Sequence, residues 1–335
     1  MTPRRSIIPI FVPHLGCEHD CVFCNQRHIS GEKDRQTGER VCALIEEGLS
    51  VIPTDRETEA AFYGGSFTAI PVCLQEELLG AAQPFIESGR IKAIRLSTRP
   101  DCIDGETLAR LKKYGVETIE LGSQSMCDDV LDLTGRGHKA EDTRKAAKMI
   151  KQAGFKLILQ MMTGLPGDTP EKSMHTAREI AALMPDGVRI YPTVIVKDTE
   201  LYRMWQRGEY KEHTVEDATE LCAEILPVFE EMGIPVIRLG LNPTEELSEG
   251  SAAGGAYHPA LGELVRSRMY LKKARRLLKE AENKNVSLGV EKSQISMMTG
   301  QKRCNIITLE SEFAISGLKV KAADVQKGEI VLMSN

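Results

Sequence analysis

The chain has 335 residues, 41% hydrophobic and 27% charged, a composition typical of a globular protein with a sizeable core. Its net charge is -5, and no apolar stretch reaches the length of a membrane span, so we expect no membrane insertion. The short apolar run near the start is interrupted by Pro9, unlike a signal peptide, and the nine cysteines lack the pairing of an exported disulfide scaffold, which predicts a cytoplasmic protein.

A cysteine-rich segment follows the first predicted strand, residues 6–12. Its cysteines are separated by three and two residues: Cys17, Cys21 and Cys24. Short loops bring such thiolates toward one point, where they can hold one face of an iron-sulfur cube and leave the fourth iron open. Three buried structural cysteines would fit the same spacing. A zinc site also fits if one nearby histidine supplies the fourth ligand: His14, His19 or His28.

With Phe23 just before its last cysteine, the motif resembles the signature of the radical S-adenosylmethionine (SAM) superfamily. The resemblance implies a [4Fe-4S] cluster on the three cysteines and a SAM that chelates the open iron through its amino and carboxylate groups. It also implies that one electron, from an external one-electron reductant, cleaves SAM and gives a 5'-deoxyadenosyl radical. Phe23 is assigned to this cofactor site.

Alternating strand and helix patterns continue to about residue 241, which is typical of βα units around a parallel sheet. We predict an α/β fold with a partial (β/α)6 TIM-like barrel in residues 1–247, closed incompletely by a last strand at residues 234–242. Chemistry in such barrels gathers on the loops at the carboxyl ends of the strands. The cysteine segment lies on the first of these loops.

Glycine-rich turns follow two later strands. Gly64, Gly65 and Ser66 end the second strand, where glycines allow close approach of a ligand to the backbone. In the superfamily the matching motif binds the amino group of SAM. Gly164 follows the fifth strand and is assigned to the adenosyl part, although a strand-to-helix turn without a ligand has a similar pattern.

Five further motifs resemble the radical domain of the Elongator catalytic subunit and cover residues 8–238: TRPD, ELGSQS, TGRGH, QAGFKLILQMMTGLPGDTPE and RIYPTVIVKDTELYRMWQRGEY. The resemblance places Gln124 and Arg136 on SAM, with Arg136 as a cationic fork for the carboxylate. Relatives usually carry glutamate where Ser97 stands, and the more loosely similar coproporphyrinogen oxidases carry aspartate where Gln160 stands. The hydroxyl and amide can still bind ribose. The acetyltransferase domain of that subunit is not expected here.

The remaining chain is predicted to form a Gly/Ser loop and a basic helix (residues 248–283) and a small α/β tail (residues 284–335). The tail resembles a KH-type RNA-binding fragment, whose GxxG loop would correspond to residues 300–303, with Arg303 in place of the second glycine. Residues 263–335 hold 14 Lys and Arg against 8 Asp and Glu, which favours a polyanionic partner such as tRNA or another RNA. A cap packed on the barrel, or a solvated basic helix, is the alternative.

These features together predict a radical SAM enzyme that modifies RNA or tRNA. Two alternatives stay open at this point. A radical SAM enzyme could act on a small metabolite or coenzyme, because a fold does not select a substrate. A non-enzymatic, metal-bound adaptor could use the basic tail to bind nucleic acid.

Overall fold

A computed structural model of the chain describes residues 5–12, 21–24, 36–241, 250–281 and 286–334. The chain forms two compact units. The first comprises Met1–His213 and Val228–Tyr257, and the second comprises Thr214–Pro227 and His258–Asn335. No helix in the described ranges is both long and apolar enough to span a lipid bilayer.

A curled sheet of seven parallel strands forms the first unit and gives it the shape of a half-barrel. The predicted partial TIM-like barrel is therefore confirmed. Neighbours in the sheet follow chain order, so the first and last strands lie at its two edges. The strands are β1 Arg5–Val12, β2 Glu57–Gly64, β3 Ala93–Thr98, β4 Val116–Gln124, β5 Lys156–Thr163, β6 Gly187–Pro192 and, after the short β7 Val194–Val196, β8 Val236–Leu239.

Helices connect these strands as βα units require. Several begin at a Thr or Asp whose side chain accepts a hydrogen bond from a backbone N–H three residues later, as at Thr37, Asp104 and Thr169. Such capping fixes the helix starts at the ends of the preceding loops. The helices are α1 Gly38–Val51, α2 Val72–Glu87, α3 Gly105–Lys113, α4 Asp128–Leu133, α5 Ala140–Gln152, α6 Pro170–Ala182, α7 Glu200–Gln206 and α8 Val215–Glu231.

The two faces of the sheet differ in chemistry. Side chains alternate between faces along each strand, and one face carries apolar residues that are fully buried, among them Phe62, Leu96 and Ile119. The opposite, inner face carries polar and charged side chains such as Glu120 and Arg189. The inner face therefore offers the groups that can bind a polar ligand.

Two predictions about the edge of this unit are wrong. The sequence pattern predicts one strand over residues 186–196, but this strand is interrupted at Thr193, whose N–H and hydroxyl both donate to the Thr163 carbonyl, at 2.9 and 2.8 Å. The predicted Gly/Ser loop contains strand β9, Ala252–Gly255, which pairs with β7 in antiparallel orientation. Gly255 permits this pairing because a Cβ there would lie 2.6 Å from the Thr193 carbonyl oxygen. Residues 248 and 249 of that loop lie outside the described residues.

The second unit contains a small α/β subdomain with its own core. Its sheet has the order β11-β10-β12, with β10 parallel to β11 and antiparallel to β12. Buried residues of the long helix and the sheet, such as Leu271, Leu288 and Leu309, form one cluster. The elements are α9 Leu261–Glu280, β10 Val286–Val290, α10 Ile295–Thr299, α11 Cys304–Phe313, β11 Lys319–Ala322 and β12 Val331–Ser334.

Part of the basic face of helix α9 is paired with carboxylates of neighbouring helices. Glu216, Glu220 and Glu224 recur every four residues and so line one face of α8. They form ion pairs with Arg268 and Lys272 of α9. Farther along α9, Arg275 forms an ion pair with Glu312. Three of the seven basic residues of this helix are thus paired with carboxylates within its own unit.

Candidate cluster and cofactor site

Cys21 and Cys24 lie on a short turn that is held in place from two sides. The Cys24 N–H donates to the Cys21 carbonyl at 2.9 Å and closes the turn. Between them, the Val22 N–H donates to the Thr134 carbonyl at 3.1 Å, and the Val22 carbonyl accepts from the Leu201 N–H at 2.7 Å. Both thiols are half-buried. The third predicted ligand, Cys17, lies outside the described residues.

Phe23 anchors this turn by apolar contact. Its ring packs on a cluster formed by Ile195, Leu201 and Tyr210, together with flanking residues of α7. This packing gives the aromatic residue of the motif a structural role. Its contact with a cofactor remains a prediction.

Gly64 is required by the packing of two strands. Its φ of +108° lies in the left-handed region, and a Cβ there would lie 2.9 Å from the Val12 carbonyl oxygen. The Gly65 N–H donates to the same oxygen at 3.0 Å. Ser66, which follows, is buried. The glycine pair therefore joins the end of β2 to the end of β1, from which the cysteine segment departs.

Gln124, Arg136 and Cys21 come together at the end of β4. Arg136 Nη2 donates to the Gly122 carbonyl at 2.7 Å, and its Nη1 lies 3.4 Å from Cys21 Sγ. Gly122 leaves room for both predicted side chains, since a Cβ there would lie 2.8 Å from Gln124 Nε2 and 3.3 Å from Arg136 Nη2. Gln124 Oε1 and Arg136 Nε are buried and lack a hydrogen-bond partner among the described residues.

A second arginine supports this group. Arg99 binds Asp101 through two hydrogen bonds, of 2.9 and 2.8 Å, and its Nη2 also donates to the Arg136 carbonyl at 2.6 Å. Burial raises the pKa of Asp101, but the hydrogen bonds from Arg99 outweigh burial and keep that pKa below its ordinary value. The Arg99 charge is therefore matched by a carboxylate.

His138, the last residue of TGRGH, lies in the same region. Burial lowers the pKa of its imidazole to about 4, and the positive charge of Arg136 acts in the same direction. The ring is therefore neutral near pH 7. Its Nε2 lies 3.3 Å from the Ser123 carbonyl, and its Nδ1 has no partner among the described residues.

Ser97 and Gln160 lie on the inner face of the half-barrel. Ser97 is half-buried and stands in register with Glu120 of the neighbouring strand. Gln160, also half-buried, donates from Nε2 to Glu120 Oε2 at 3.0 Å. Because its amide nitrogen is engaged, Gln160 offers its carbonyl oxygen to a ligand.

Gly164 turns the chain after β5 and is covered by a later segment. Its φ is +73°, and a Cβ there would overlap the ring of His213, whose Nε2 lies 3.2 Å from the Thr163 hydroxyl oxygen. The Tyr210 hydroxyl donates to the Gly164 carbonyl at 2.6 Å. Contacts between residues so far apart in the sequence cannot be predicted from a local motif. His213 was therefore not among the predicted residues.

Comparison with known families agrees with this geometry. A model of the Radical SAM superfamily matches residues 11–180, and a model of the Radical_SAM C-terminal domain matches residues 185–271. The chain belongs to the radical SAM superfamily. The predicted recognition and the predicted enzyme class are confirmed at this level.

Several relatives within the radical SAM superfamily are similar to this chain. A tRNA uridine(34) acetyltransferase of Methanocaldococcus infernus is 35% identical over 191 residues, which are 51% of this chain and 36% of that protein. Human Elongator complex protein 3 is 30% identical over 254 residues, 70% of this chain and 45% of that protein. The structure of archaeal M. infernus Elp3 with its N-terminus deleted has a TM-score of 0.63 and 27% identity, and covers 80% of this chain and 63% of that one.

The radical SAM barrel of this chain also contains an ion-pair network that the sequence analysis missed. On the inner face, Arg95 lies 2.7 Å from Glu59 and 3.0 Å from Glu120. Glu120 also meets Arg189 at 2.8 Å and accepts from the Tyr63 hydroxyl at 3.0 Å. A signal was available, because Arg95, Glu120 and Arg189 each stand between two apolar residues of a strand, where burial requires a partner of opposite charge.

Proposed function

We propose that this chain binds a [4Fe-4S] cluster through Cys17, Cys21 and Cys24 and modifies RNA, with tRNA as the first candidate. When bound, the cluster and SAM would supply, with one electron from an external reductant, a 5'-deoxyadenosyl radical able to remove hydrogen from a substrate. The similarity to tRNA uridine(34) acetyltransferases supports the choice of RNA. The chain spans only about a third to a half of the curated relatives described above, so the RNA activity is our proposal for this chain.

One observation carries the SAM part of the proposal. Beside Cys21, two buried side-chain atoms have no partner among the described residues. Arg136 Nε is a donor and needs an acceptor such as a carboxylate, whereas Gln124 Oε1 is an acceptor and needs a donor such as an amine or hydroxyl. An unsatisfied buried group costs about 1–3 kcal/mol. SAM carries groups of both kinds, so these residues fit it.

The other predicted residues receive proposed roles along the inner face. Gly65 and Ser66 bind the amino group, Ser97 and the Gln160 carbonyl oxygen bind the ribose, and Gly164 meets the adenosyl part. The ion-pair network around Glu120 supports this assignment, since it fixes the Gln160 amide in one orientation. The turn around Phe23 holds two of the three thiolates.

The RNA part of the proposal rests on the loop between α10 and α11. Gln301, Lys302 and Arg303 are exposed there, and the two basic residues have φ angles of +51° and +63°. Arg303, at the position of the second glycine of a GxxG loop, thus has a left-handed backbone conformation that favours glycine. Because Lys302 and Arg303 are both exposed, we assign attraction for phosphate to this loop.

Anaerobic purification tests the proposal. We expect a brown protein with about four irons and four sulfides per chain that releases 5'-deoxyadenosine when given SAM and a reductant. Replacing Cys21 and Cys24 with serine should abolish both colour and release. Zinc in place of iron, or iron without 5'-deoxyadenosine, would contradict the proposal and favour a non-enzymatic adaptor.

Nucleoside analysis identifies the substrate class. RNA from a strain that lacks the gene should lose one modified nucleoside in mass spectrometry, and the gene should restore it. A variant with serine at Cys21 and Cys24 is the control, because it should not restore the nucleoside. An unchanged nucleoside profile from an enzyme that cleaves SAM would contradict the RNA part and favour a small metabolite or coenzyme.

A further inference from the structure

The guanidinium of Arg136 is fixed in orientation before any ligand is considered. Its side chain is only 8% exposed, one nitrogen is held by the Gly122 carbonyl, and its own carbonyl is held by Arg99. These contacts leave Nη1 directed at Cys21 Sγ, 3.4 Å away. The N–H therefore points to a thiol that we assign to the cluster.

The positive charge of Arg136 has no carboxylate within ion-pair distance in the described part of the chain. The neighbouring Arg99 is neutralised by Asp101, and His138 is uncharged near pH 7 because burial lowers its pKa. A buried guanidinium without a counter-ion is costly, so an anion is required beside it. A cysteine thiolate on an iron-sulfur cluster is such an anion.

We infer that Arg136 donates a hydrogen bond to the Cys21 thiolate and thereby raises the reduction potential of the cluster. This inference rests on the proposed function, and it assigns to Arg136 a role separate from its contact with SAM. Reduction adds one negative charge to the cluster, and a nearby N–H and positive charge stabilise the reduced form more than the oxidised form. Burial strengthens the effect because water does not screen it.

Redox titration of the holoprotein without added SAM tests the inference. The ratio of reduced to oxidised cluster is measured by electron paramagnetic resonance at a potential fixed by mediator dyes. For Arg136→Gln we expect this ratio to fall about tenfold, which corresponds to about 59 mV for a one-electron couple. Arg136→Lys keeps the charge but lacks the fork whose two nitrogens reach Gly122 and Cys21 separately, so its ratio should fall less.

Arg144→Gln is the matched control, because Arg144 is half-buried on α5 and pairs with Glu179. Its ratio should equal that of the natural protein. If both Arg136 variants show the same ratio as the natural protein, the inference is overturned. If Arg136→Gln does not bind iron, Arg136→Lys becomes the test. A lower ratio of reduced to oxidised cluster than in the natural protein supports the inference, and an unchanged ratio overturns it. Absence of the cluster from the natural protein would instead refute the proposed function.

Discussion

The guanidinium of Arg189 meets the carboxylate of Glu120 inside the half-barrel, with Nε 2.8 Å from Oε2 and Nη2 3.0 Å from Oε1. Glu120 is fully buried and serves Arg95 as well, at 3.0 Å. This one carboxylate thus pairs with two arginines, Arg95 of β3 and Arg189 of β6, which lie on opposite sides of its own strand β4. Removing it deprives Arg189 of this carboxylate and leaves Arg95 with Glu59 alone, in a place that is largely shielded from water.

We therefore expect Glu120→Gln to lower the free energy of unfolding by about 3–5 kcal/mol, the range found when one partner of a buried ion pair is removed. Urea unfolding measures this change. Glu117→Gln on the same strand is the control, because Glu117 and its partner Lys156 are both 41% exposed and such pairs contribute about 1 kcal/mol or less. Equal losses in the two variants would contradict the role assigned to Glu120.

The sequence predicted those parts of the fold that depend on local pattern. Strand and helix periodicity identified the seven parallel strands, because each strand is a short apolar run followed by a turn. The cysteine spacing and the family resemblance of TGRGH pointed to Cys21 and Arg136, whose side chains lie 3.4 Å apart, and their roles at a cofactor stay predictions. A motif can be recognised in a sequence when its residues lie within a few positions of one another.

What the sequence did not predict depends on contacts between distant residues. Gly164 meets His213, and Glu120 meets Arg189, at separations that no local period encodes. The strand β9 was read as a loop because Gly and Ser are typical of loops, whereas pairing with β7 overrides that preference. The pairing of Arg268 and Lys272 with carboxylates of α8 was also not predicted, because these partners lie about 50 residues away in sequence.

Replacing Gly164 with alanine tests the contact with His213. The left-handed φ of +73° costs an alanine about 1–2 kcal/mol, and the overlap with the imidazole adds about 1–3 kcal/mol. Gly208→Ala is a control matched in φ, also +73°, with open space around it. Thermal unfolding should show a clearly larger loss for Gly164→Ala. Identical losses would mean that the His213 ring moves aside without cost.

His138 should make the stability depend on pH. Burial lowers its pKa to about 4, below the 6.5 of an unfolded chain. Its contribution is therefore fully present above pH 6.5 and is lost as the pH falls toward 4, because only the unfolded chain then takes up the proton. Between about pH 7.5 and about pH 4.5, the natural protein should lose about 2–3 kcal/mol more than His138→Gln. The exposed His175, replaced in the same way, is the control and should leave the pH profile of the natural protein unchanged.

The loop between α10 and α11 should determine the salt dependence of tRNA binding. If Lys302 and Arg303 each contact one phosphate, replacing both with alanine should weaken binding and reduce the slope of log affinity against log salt by about 2. Fluorescence anisotropy with labelled tRNA at several salt concentrations measures both quantities.

A second pair of basic residues separates this effect from a change in net charge. Alanine at Arg268 and Lys272 removes the same two charges, but both side chains already pair with carboxylates of α8. That variant should keep the slope of the natural protein, because its cations are not available to replace counter-ions on RNA. Equal slopes in all three proteins, or equal losses of affinity in both variants, would show that the loop does not contact RNA. The tail would then have a structural role only.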